Sequence, residues 1–299
     1  MLRVFLDVVL PVAIVAALGG AVGRWRAIPV APVSALVFYL FSPALVFRSL
    51  ADSALTLDVS LRIVAVMAGT FVAMYGVSAL WSTVARHDAP LRAGFALAAT
   101  TPNVGNMGLP VAQLAFGQAG LDIAVMNFVV GATLANSAGI AIASLAGGSA
   151  RAALVAPLRA PALWAAVVGV IVNVAGVSLP VAIDAPMRTL AGAAVPTMLA
   201  VLGLQLQQSI GMDRLLDTAV LNAARLLVAP AVAWGVASGT GLGGDTRGTL
   251  VVLAAMPTAV ITTIIATQFG AAPAFVTRAV VSSTLLCMLT LTPLITLVR

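Results

Sequence analysis

The residues best suited to chemistry in this chain form a short run of prolines, glycines and amides, TTPNVGNMGLP, at positions 100–110. Pro102 removes a backbone hydrogen bond and clashes with the preceding turn, so it interrupts any helix that contains it. Asn103 and Asn106 lie within this interruption, and each amide side chain can both donate and accept hydrogen bonds. This density of helix-breaking residues predicts an unwound segment, with further hinge positions at Gly105, Gly108 and Pro110.

A second interruption is predicted 155 residues later (257 − 102 = 155), at Pro257 in the run MPTAVITTIIATQFG. Thr258 and Thr262 follow this proline and contribute hydroxyl groups. The two runs correspond in pattern, because each has a glycine eight or nine residues before its proline and each closes on Phe-Gly. We therefore expect two similar breaks, about half a chain apart.

Together the two interruptions predict a neutral binding site that is rich in hydrogen-bond donors. Where a helix is broken, the amide groups that begin one half attract anions, and the carbonyl groups that end the other half attract cations. Such a site suits a carboxylate. The alternative interpretation is structural, because a proline in a membrane helix often does no more than kink it. The predicted substrate-binding residues are Thr101, Asn103, Asn106, Thr258 and Thr262.

The elements that carry these runs are predicted to be membrane-spanning helices. Hydrophobic residues make up 62% of the 299 residues and charged residues only 8%, whereas a soluble domain carries about 25% charged residues. Apolar stretches of about 20 residues recur along the whole chain, and each is long enough to cross a hydrocarbon core of roughly 30 Å. The stretches are continuous rather than alternating, which excludes a transmembrane barrel. The predicted fold class is an all-α integral membrane protein.

Ten transmembrane helices are predicted, arranged as a 5+5 inverted repeat with two broken crossover helices. Because five is odd, the two halves insert with opposite topology, as in many secondary transporters. Pro43 in the second span corresponds to Pro196 in the seventh. We expect a first repeat at 1–148, a cytoplasmic link at 149–160 and a second repeat at 161–299. The predicted spans are residues 4–23, 29–50, 61–84, 91–117, 121–145, 160–177, 187–207, 215–238, 246–270 and 274–298.

The charged residues indicate orientation and exclude some partners. The net charge of +6 comes from 15 arginines and nine aspartates, with no lysine or glutamate. The arginines are scattered singly between apolar runs, so no nucleic-acid partner is expected. The lone Cys287 gives neither a disulfide framework nor a metal cluster, and we expect no cofactor. Connections after odd-numbered spans hold slightly more arginine, which predicts both termini outside the cytoplasm of a bacterial inner membrane.

The motifs TPNVGNMGLPVAQLAFG, FSPALVF and MPTAVITTIIATQFG, with VVSSTLL downstream, resemble the auxin efflux carrier family, a relative of the bile-acid/sodium symporters. The resemblance covers essentially the whole chain, and N-x-G-N-x-G-L-P is its most specific element. It implies a scaffold and a transport domain, crossing of the two broken spans, and elevator-like alternating access. It also implies that a Pro-Asn pair at each break contacts the substrate carboxylate. Pro102-Asn103 matches the first pair, whereas Pro257-Thr258 lacks the second asparagine.

The function expected from these features is efflux of a small organic anion, such as a mono- or dicarboxylate, across the lipid bilayer. Oligomeric state stays open, with a homodimer as one candidate. Energy coupling stays open as well: a sodium site of carbonyl, Asn and Thr oxygens, proton-coupled uptake and uncoupled export are all compatible with the sequence. Proton coupling usually needs a buried titratable group, and His87 is expected to be a solvated loop residue.

The remaining polar residues of the spans are expected to have structural roles. Arg225 is predicted to reach the membrane interface or to pair with Asp217, with a cation that lines the pathway for an anionic substrate as the alternative. Gln205 is predicted to lie at an interface. A channel or sensor is a further alternative, although no ring of charge is visible. An intramembrane enzyme is not expected, because the sequence has no paired carboxylates or clustered nucleophile and base. Interhelical hydrogen bonds are predicted for Asn127, Asn136 and Asn173, with lining of the transport pathway as the alternative role.

Overall fold

A computed structural model describes residues 1–139, 141–142, 158, 160–206 and 213–299. In these residues every extended element is helical, and the only β-type pairing is an isolated bridge. The helices are α1 Leu2–Arg26, α2 Val30–Ala51, α3 Leu57–Val84, α4 Ala89–Thr100, α5 Val104–Leu134, α6 Pro161–Ala175, α7 Val181–Gln205, α8 Leu215–Gly239, α9 Gly244–Ala254, α10 Ile261–Phe269 and α11 Pro273–Val298.

Lengths and surfaces of these helices confirm an all-α membrane protein. Within the described residues, seven helices are long and apolar enough to cross a membrane, and α6 is a shorter apolar helix. Large apolar side chains point outward along them, with Val72, Val174 and Leu289 each at least 68% exposed. A water-soluble monomer rarely exposes apolar patches of this extent, so these faces are suited to lipid.

The predicted spans match the helices closely, with two early starts that have a physical reason. α3 begins at Leu57, four residues before the predicted position, because the Thr56 hydroxyl accepts a hydrogen bond from the first turn. α7 begins at Val181 rather than at 187, because Asp184 in its first turn pairs with Arg48 and Arg188. The charges of Asp184 and Arg188 are thus neutralised within the helix. The predicted link at 149–160 lies almost wholly outside the described residues.

In four places within the described chain a wide π-helical turn ends two residues before a proline. The wide turns are Phe5–Val9, Val37–Phe41, Val104–Gly108 and Ala224–Val228, and the prolines are Pro11, Pro43, Pro110 and Pro230. A proline inside a helix has no N–H and its ring clashes with the carbonyl one turn earlier. Widening that turn accommodates both defects, so these helices continue through their prolines.

α5 folds back on itself at Gly117. This glycine has φ 67° and ψ −153°, a conformation that a residue with a side chain rarely adopts. Residues on the two sides of the kink meet: a Cβ on Gly105 would lie 3.1 Å from the Phe128 ring. The first part of α5 therefore continues the fourth span, and the part after Gly117 is the fifth.

The helices pack as two groups. α1, α2, α6 and α7 pack on one another and form the four-helix group. α3, α4, α5 and α8–α11 form the second set, which we call the crossing group because it contains both broken spans. The connections after the third, seventh and ninth spans lie at the same end of the molecule, because Asp88, Arg214 and Ala272 line one pocket there. If successive spans cross the membrane in alternating directions, the connections after odd-numbered spans must all lie on the same side, as these three do.

Candidate substrate site at the crossing of two broken helices

The two predicted interruptions are real breaks, and they lie against each other. α4 ends at Thr100 before α5 begins, and α9 ends at Ala254 before α10 begins. Pro102 and Thr258 form an antiparallel bridge between the two segments. The Asn103 amide N–H donates to the Pro257 carbonyl at 2.7 Å, and the Ala259 N–H donates to the Thr101 carbonyl at 2.9 Å. The backbone groups freed by the prolines thus partly satisfy one another across the crossing.

In the first break, Asn103 begins the second half-helix. Its side-chain oxygen accepts a hydrogen bond from the Asn106 backbone N–H at 3.3 Å, the geometry of an N-terminal cap. Its Nδ2 amide group is buried and has no hydrogen-bond partner among the described residues, and neither has the buried Thr101 hydroxyl. A buried polar group without a partner costs about 1–3 kcal/mol. Two such groups within three residues are therefore a sign of a site that a ligand completes.

The second break offers fewer free groups. The Thr258 hydroxyl donates to the Ala98 carbonyl at 3.1 Å, and the Thr258 N–H donates to the Ser283 hydroxyl at 3.0 Å. The Thr262 hydroxyl donates to the Ala259 carbonyl at 2.5 Å. Both threonines are fully buried. Their hydroxyl protons are committed to the local backbone, so these residues shape the crossing while the free donors belong to the first break.

The predicted hinge residues all lie at or beside the crossing. The Pro257 carbonyl accepts the bond from Asn103, and Pro110 follows the wide turn that holds Gly105 and Gly108. A Cβ on Gly108 would lie 3.0 Å from the Leu253 side chain, so this glycine lets α5 approach α9 closely.

Arg225 lies at the crossing, a position that fits the alternative role given for it above rather than the expected one. It lies in the wide turn of α8 and is only 1% exposed. Its two terminal nitrogens donate to the carbonyls of Ala99 and Ala254, each at 2.6 Å. These carbonyls belong to the last turns of α4 and α9, where helix dipoles place about half a negative charge each. The guanidinium thus joins the ends of both broken helices at the crossing.

The expectation that Arg225 reaches the interface or pairs with Asp217 is wrong. Eight residues of helix separate the two, about 12 Å along the axis. Arg225 forms no ion pair with any residue that the structure describes, and its Nε group has no hydrogen-bond partner. It is a buried cation whose compensation comes from backbone dipoles alone.

A cavity opens beside the first break on the side of Arg225. The space between its lining atoms, including space that is open to the surroundings, amounts to about 560 Å³. Its polar lining comes from Thr70, Thr100, Thr101, Asn127 and Arg225, and none of the described residues that line it is acidic. The Asn127 side chain is buried and forms no hydrogen bond within the described chain, so the expected interhelical bond is absent and Asn127 instead lines the cavity, the alternative role for this residue. The other lining residues are mostly apolar, from α3, α5, α8 and α9.

Outside the crossing, two polar residues also differ from expectation. His87 is buried, not solvated: its Nε2 lies 3.0 Å from an Asp217 carboxylate oxygen and its Nδ1 lies 3.2 Å from the Ser82 hydroxyl. Trp81 Nε1 donates to the same Asp217 oxygen at 3.0 Å. Asn173 does form the predicted interhelical bonds, to two carbonyls at the end of α2. The side chain of Asn136 lies outside the described residues.

Gln205, the last residue of α7, is likewise buried rather than interfacial, at 7% exposed. Its side-chain oxygen accepts a hydrogen bond from Asn106 Nδ2 at 3.3 Å. This bond joins the four-helix group to the wide turn that follows the first break.

Known proteins include relatives of this chain. A family model described as a membrane transport protein matches residues 4–153 and 148–295, which is nearly the whole chain. The chain belongs to the auxin efflux carrier family. A protein of Methanothermobacter thermautotrophicus, described as an uncharacterized transporter, is similar to this family member. The two are 29% identical over 253 residues, which are 83% of this chain and 82% of the relative.

Membership in this carrier family confirms the coarse prediction of function. The chain is a multi-pass membrane protein of a transporter family, and that family is not a class of enzymes.

Proposed function

We propose that this protein is a secondary carrier that exports a small organic anion by alternating access, with the substrate carboxylate bound at the crossing. The observation that carries the proposal is a set of unused donors at the crossing. Within the described chain, Thr101, Asn103 and Arg225 each have a buried polar atom without a hydrogen-bond partner. Carboxylate oxygens are acceptors only, so a carboxylate bound at the crossing would supply acceptors for donors that otherwise have none.

Electrostatics favour an anion over a neutral or cationic substrate. An ionisable side chain deep in a membrane protein is costly and usually belongs to a substrate or ion pathway. Arg225 has no acidic partner among the described residues, and none lines the cavity beside it. A bound anion would complete the neutralisation of the Arg225 charge, which the two helix dipoles provide only in part. The apolar remainder of the cavity lining suits the carbon skeleton of an organic acid.

The direction of transport follows from the charge of the substrate. A membrane potential that is negative inside favours exit of a monovalent anion by about 2.3 kcal/mol per 100 mV. Export therefore needs no coupling ion. The division into a four-helix group and a crossing group supports an elevator-like cycle, in which the crossing group would carry the substrate past the other helices.

Transport is best tested with the purified protein and a panel of mono- and dicarboxylates. Thermal-shift measurements, with and without sodium, would identify an acid that stabilises the protein, and proteoliposomes would then measure its flux. We expect saturable flux with counterflow, which is typical of a carrier. Stepwise single-channel currents would instead indicate a channel and contradict the proposal.

The site assignment is tested by Asn103→Ala, with Asn173→Ala as the matched control. Asn103→Ala removes the orphaned amide and the cap of α5, and we expect acid binding to be lost in a protein that still folds. Asn173 binds the end of α2, away from the crossing, so its variant should bind the acid normally. Wild-type flux in Asn103→Ala would refute the assignment.

A further inference from the structure

Gln205 is a contact between the four-helix group and the proposed substrate site. It accepts a hydrogen bond from Asn106 Nδ2 at 3.3 Å, and it lies at the C-terminal end of α7. The backbone N–H of Asn106 is bound by Asn103. The side-chain amide of Asn106 thus points to a residue that belongs to the other helix group.

Packing fixes the position of Gln205 relative to α1. A Cβ on Gly203 would lie only 1.7 Å from the Ala16 carbonyl oxygen, so α1 and α7 touch backbone to backbone just before Gln205. Leu202 and Leu204 are buried on either side of this contact. Gln205 therefore remains with the four-helix group whenever the crossing group moves.

The oxygen that Gln205 offers is chemically similar to a substrate oxygen. An amide oxygen and a carboxylate oxygen are both planar acceptors, but a bond to the charged carboxylate is roughly twice as strong. We propose that Gln205 is a tethered stand-in for the substrate carboxylate, which occupies Asn106 in the empty carrier and is displaced when the organic anion binds. This inference rests on the proposed function, since it assigns a specificity role within the same site.

Displacement by a stronger acceptor has two consequences. When an anion displaces Gln205, its binding free energy improves by the difference between a charged and a neutral hydrogen bond. A neutral amide or ester would make a bond of about the same strength as the one it breaks, so Gln205 selects for charged substrates. Binding also releases Asn106 from the four-helix group, so the loaded crossing group loses a polar contact that holds the empty one in place.

The experiment measures binding of the acid identified in the thermal-shift screen to Gln205→Met and Gln205→Glu. Methionine removes the competing oxygen at similar volume, and we expect the acid to bind about three- to tenfold more tightly, the factor that a net hydrogen bond is worth. Glutamate places a tethered carboxylate on Asn106, and we expect binding at least tenfold weaker. Gln268, an exposed glutamine of α10, supplies matched controls, Gln268→Met and Gln268→Glu, which should bind as the wild type does.

A double-mutant comparison separates competition from a merely structural role. In an Asn106→Ala background the competing bond no longer exists, so adding Gln205→Met should leave the affinity unchanged. Gln205→Met binding the acid no more tightly than the wild type would overturn this inference while leaving the carrier function intact. Failure of the wild type to bind any organic acid would instead overturn the proposed function, and this inference with it.

Discussion

Arg225 provides the sharpest test of the site, because its charge and its hydrogen bonds can be removed separately. Arg225→Met removes both the charge and the two bonds to the ends of α4 and α9. Arg225→Lys keeps the charge, but a single ammonium group cannot reproduce the planar fork that spans Ala99 and Ala254. The two variants should therefore differ in which property they lose.

The expected magnitudes follow from the geometry. Thr101 and Arg225 line the same cavity, so a carboxylate at the Thr101 hydroxyl is placed on the order of 7 Å from the guanidinium, about two residues of chain. At an effective dielectric constant near 20, a unit charge at roughly that distance contributes about 2.4 kcal/mol, which corresponds to about 50-fold in affinity. We expect Arg225→Met to bind the acid about 50-fold more weakly. Its stability should change little, because removing a buried charge offsets the cost of two unpaired carbonyls.

Arg225→Lys should show the opposite pattern. Its affinity for the acid should stay within about threefold of the wild type, whereas the loss of one charged hydrogen bond should destabilise the protein by about 1.5–3 kcal/mol. Both properties can be measured in detergent, by thermal unfolding and by acid-dependent thermal shift. Arg247→Met, which removes a half-buried arginine outside the crossing, is the control for a change in net charge. Unaltered acid affinity in Arg225→Met would refute the electrostatic role assigned to this residue.

Two further predictions concern packing and the polar cluster at the end of α3. Gly203→Ala should strongly reduce folded yield, because its Cβ would overlap the backbone of α1. Gly235→Ala is the control, because a Cβ at that position would meet open space. A comparable loss of folded yield in Gly235→Ala would contradict the packing argument. His87→Ala should destabilise the protein by about 1–3 kcal/mol, since it leaves the buried Asp217 with one partner fewer. His87→Gln should recover part of that loss in thermal unfolding, and equal stability of all three proteins would refute a structural role for the cluster.

Sequence patterns predicted the helices and the breaks because both depend on local chemistry. The length of an apolar run fixes a span, and a proline interrupts a helix wherever it stands, so the interruption at Pro102 was visible without any tertiary information. Pro257 was recognised by its spacing from Pro102. That the two segments would bridge each other was implied by the family resemblance rather than by the residues alone.

The contacts of Arg225, His87 and Gln205 were not predicted, for a common reason. Their partners are distant in sequence, and for Arg225 they are backbone carbonyls 126 and 29 residues away, which have no residue-type signature. One signal was present but unused. Arg225 lies in mid-span, and the nearest acid on its own helix, Asp217, is two turns away. Two turns are too far for an ion pair, so Arg225 required a partner from another helix.

The wide turns that precede four prolines have a consequence for how the chain tolerates change. A π-helical turn is equivalent to one residue inserted into an α-helix, and each residue of an α-helix advances its direction by about 100°. Asn106 and Arg225 both lie inside such turns. A wide turn absorbs that extra residue, so deleting a single residue there would restore a regular turn and leave the orientation of the helix beyond it nearly unchanged. The same deletion in a regular part of the helix would rotate everything beyond it by about 100° and turn lipid-facing side chains into the core. The wide turns are therefore the places where these helices hold an extra residue without losing their phase, and two of those residues, Asn106 and Arg225, lie at the crossing.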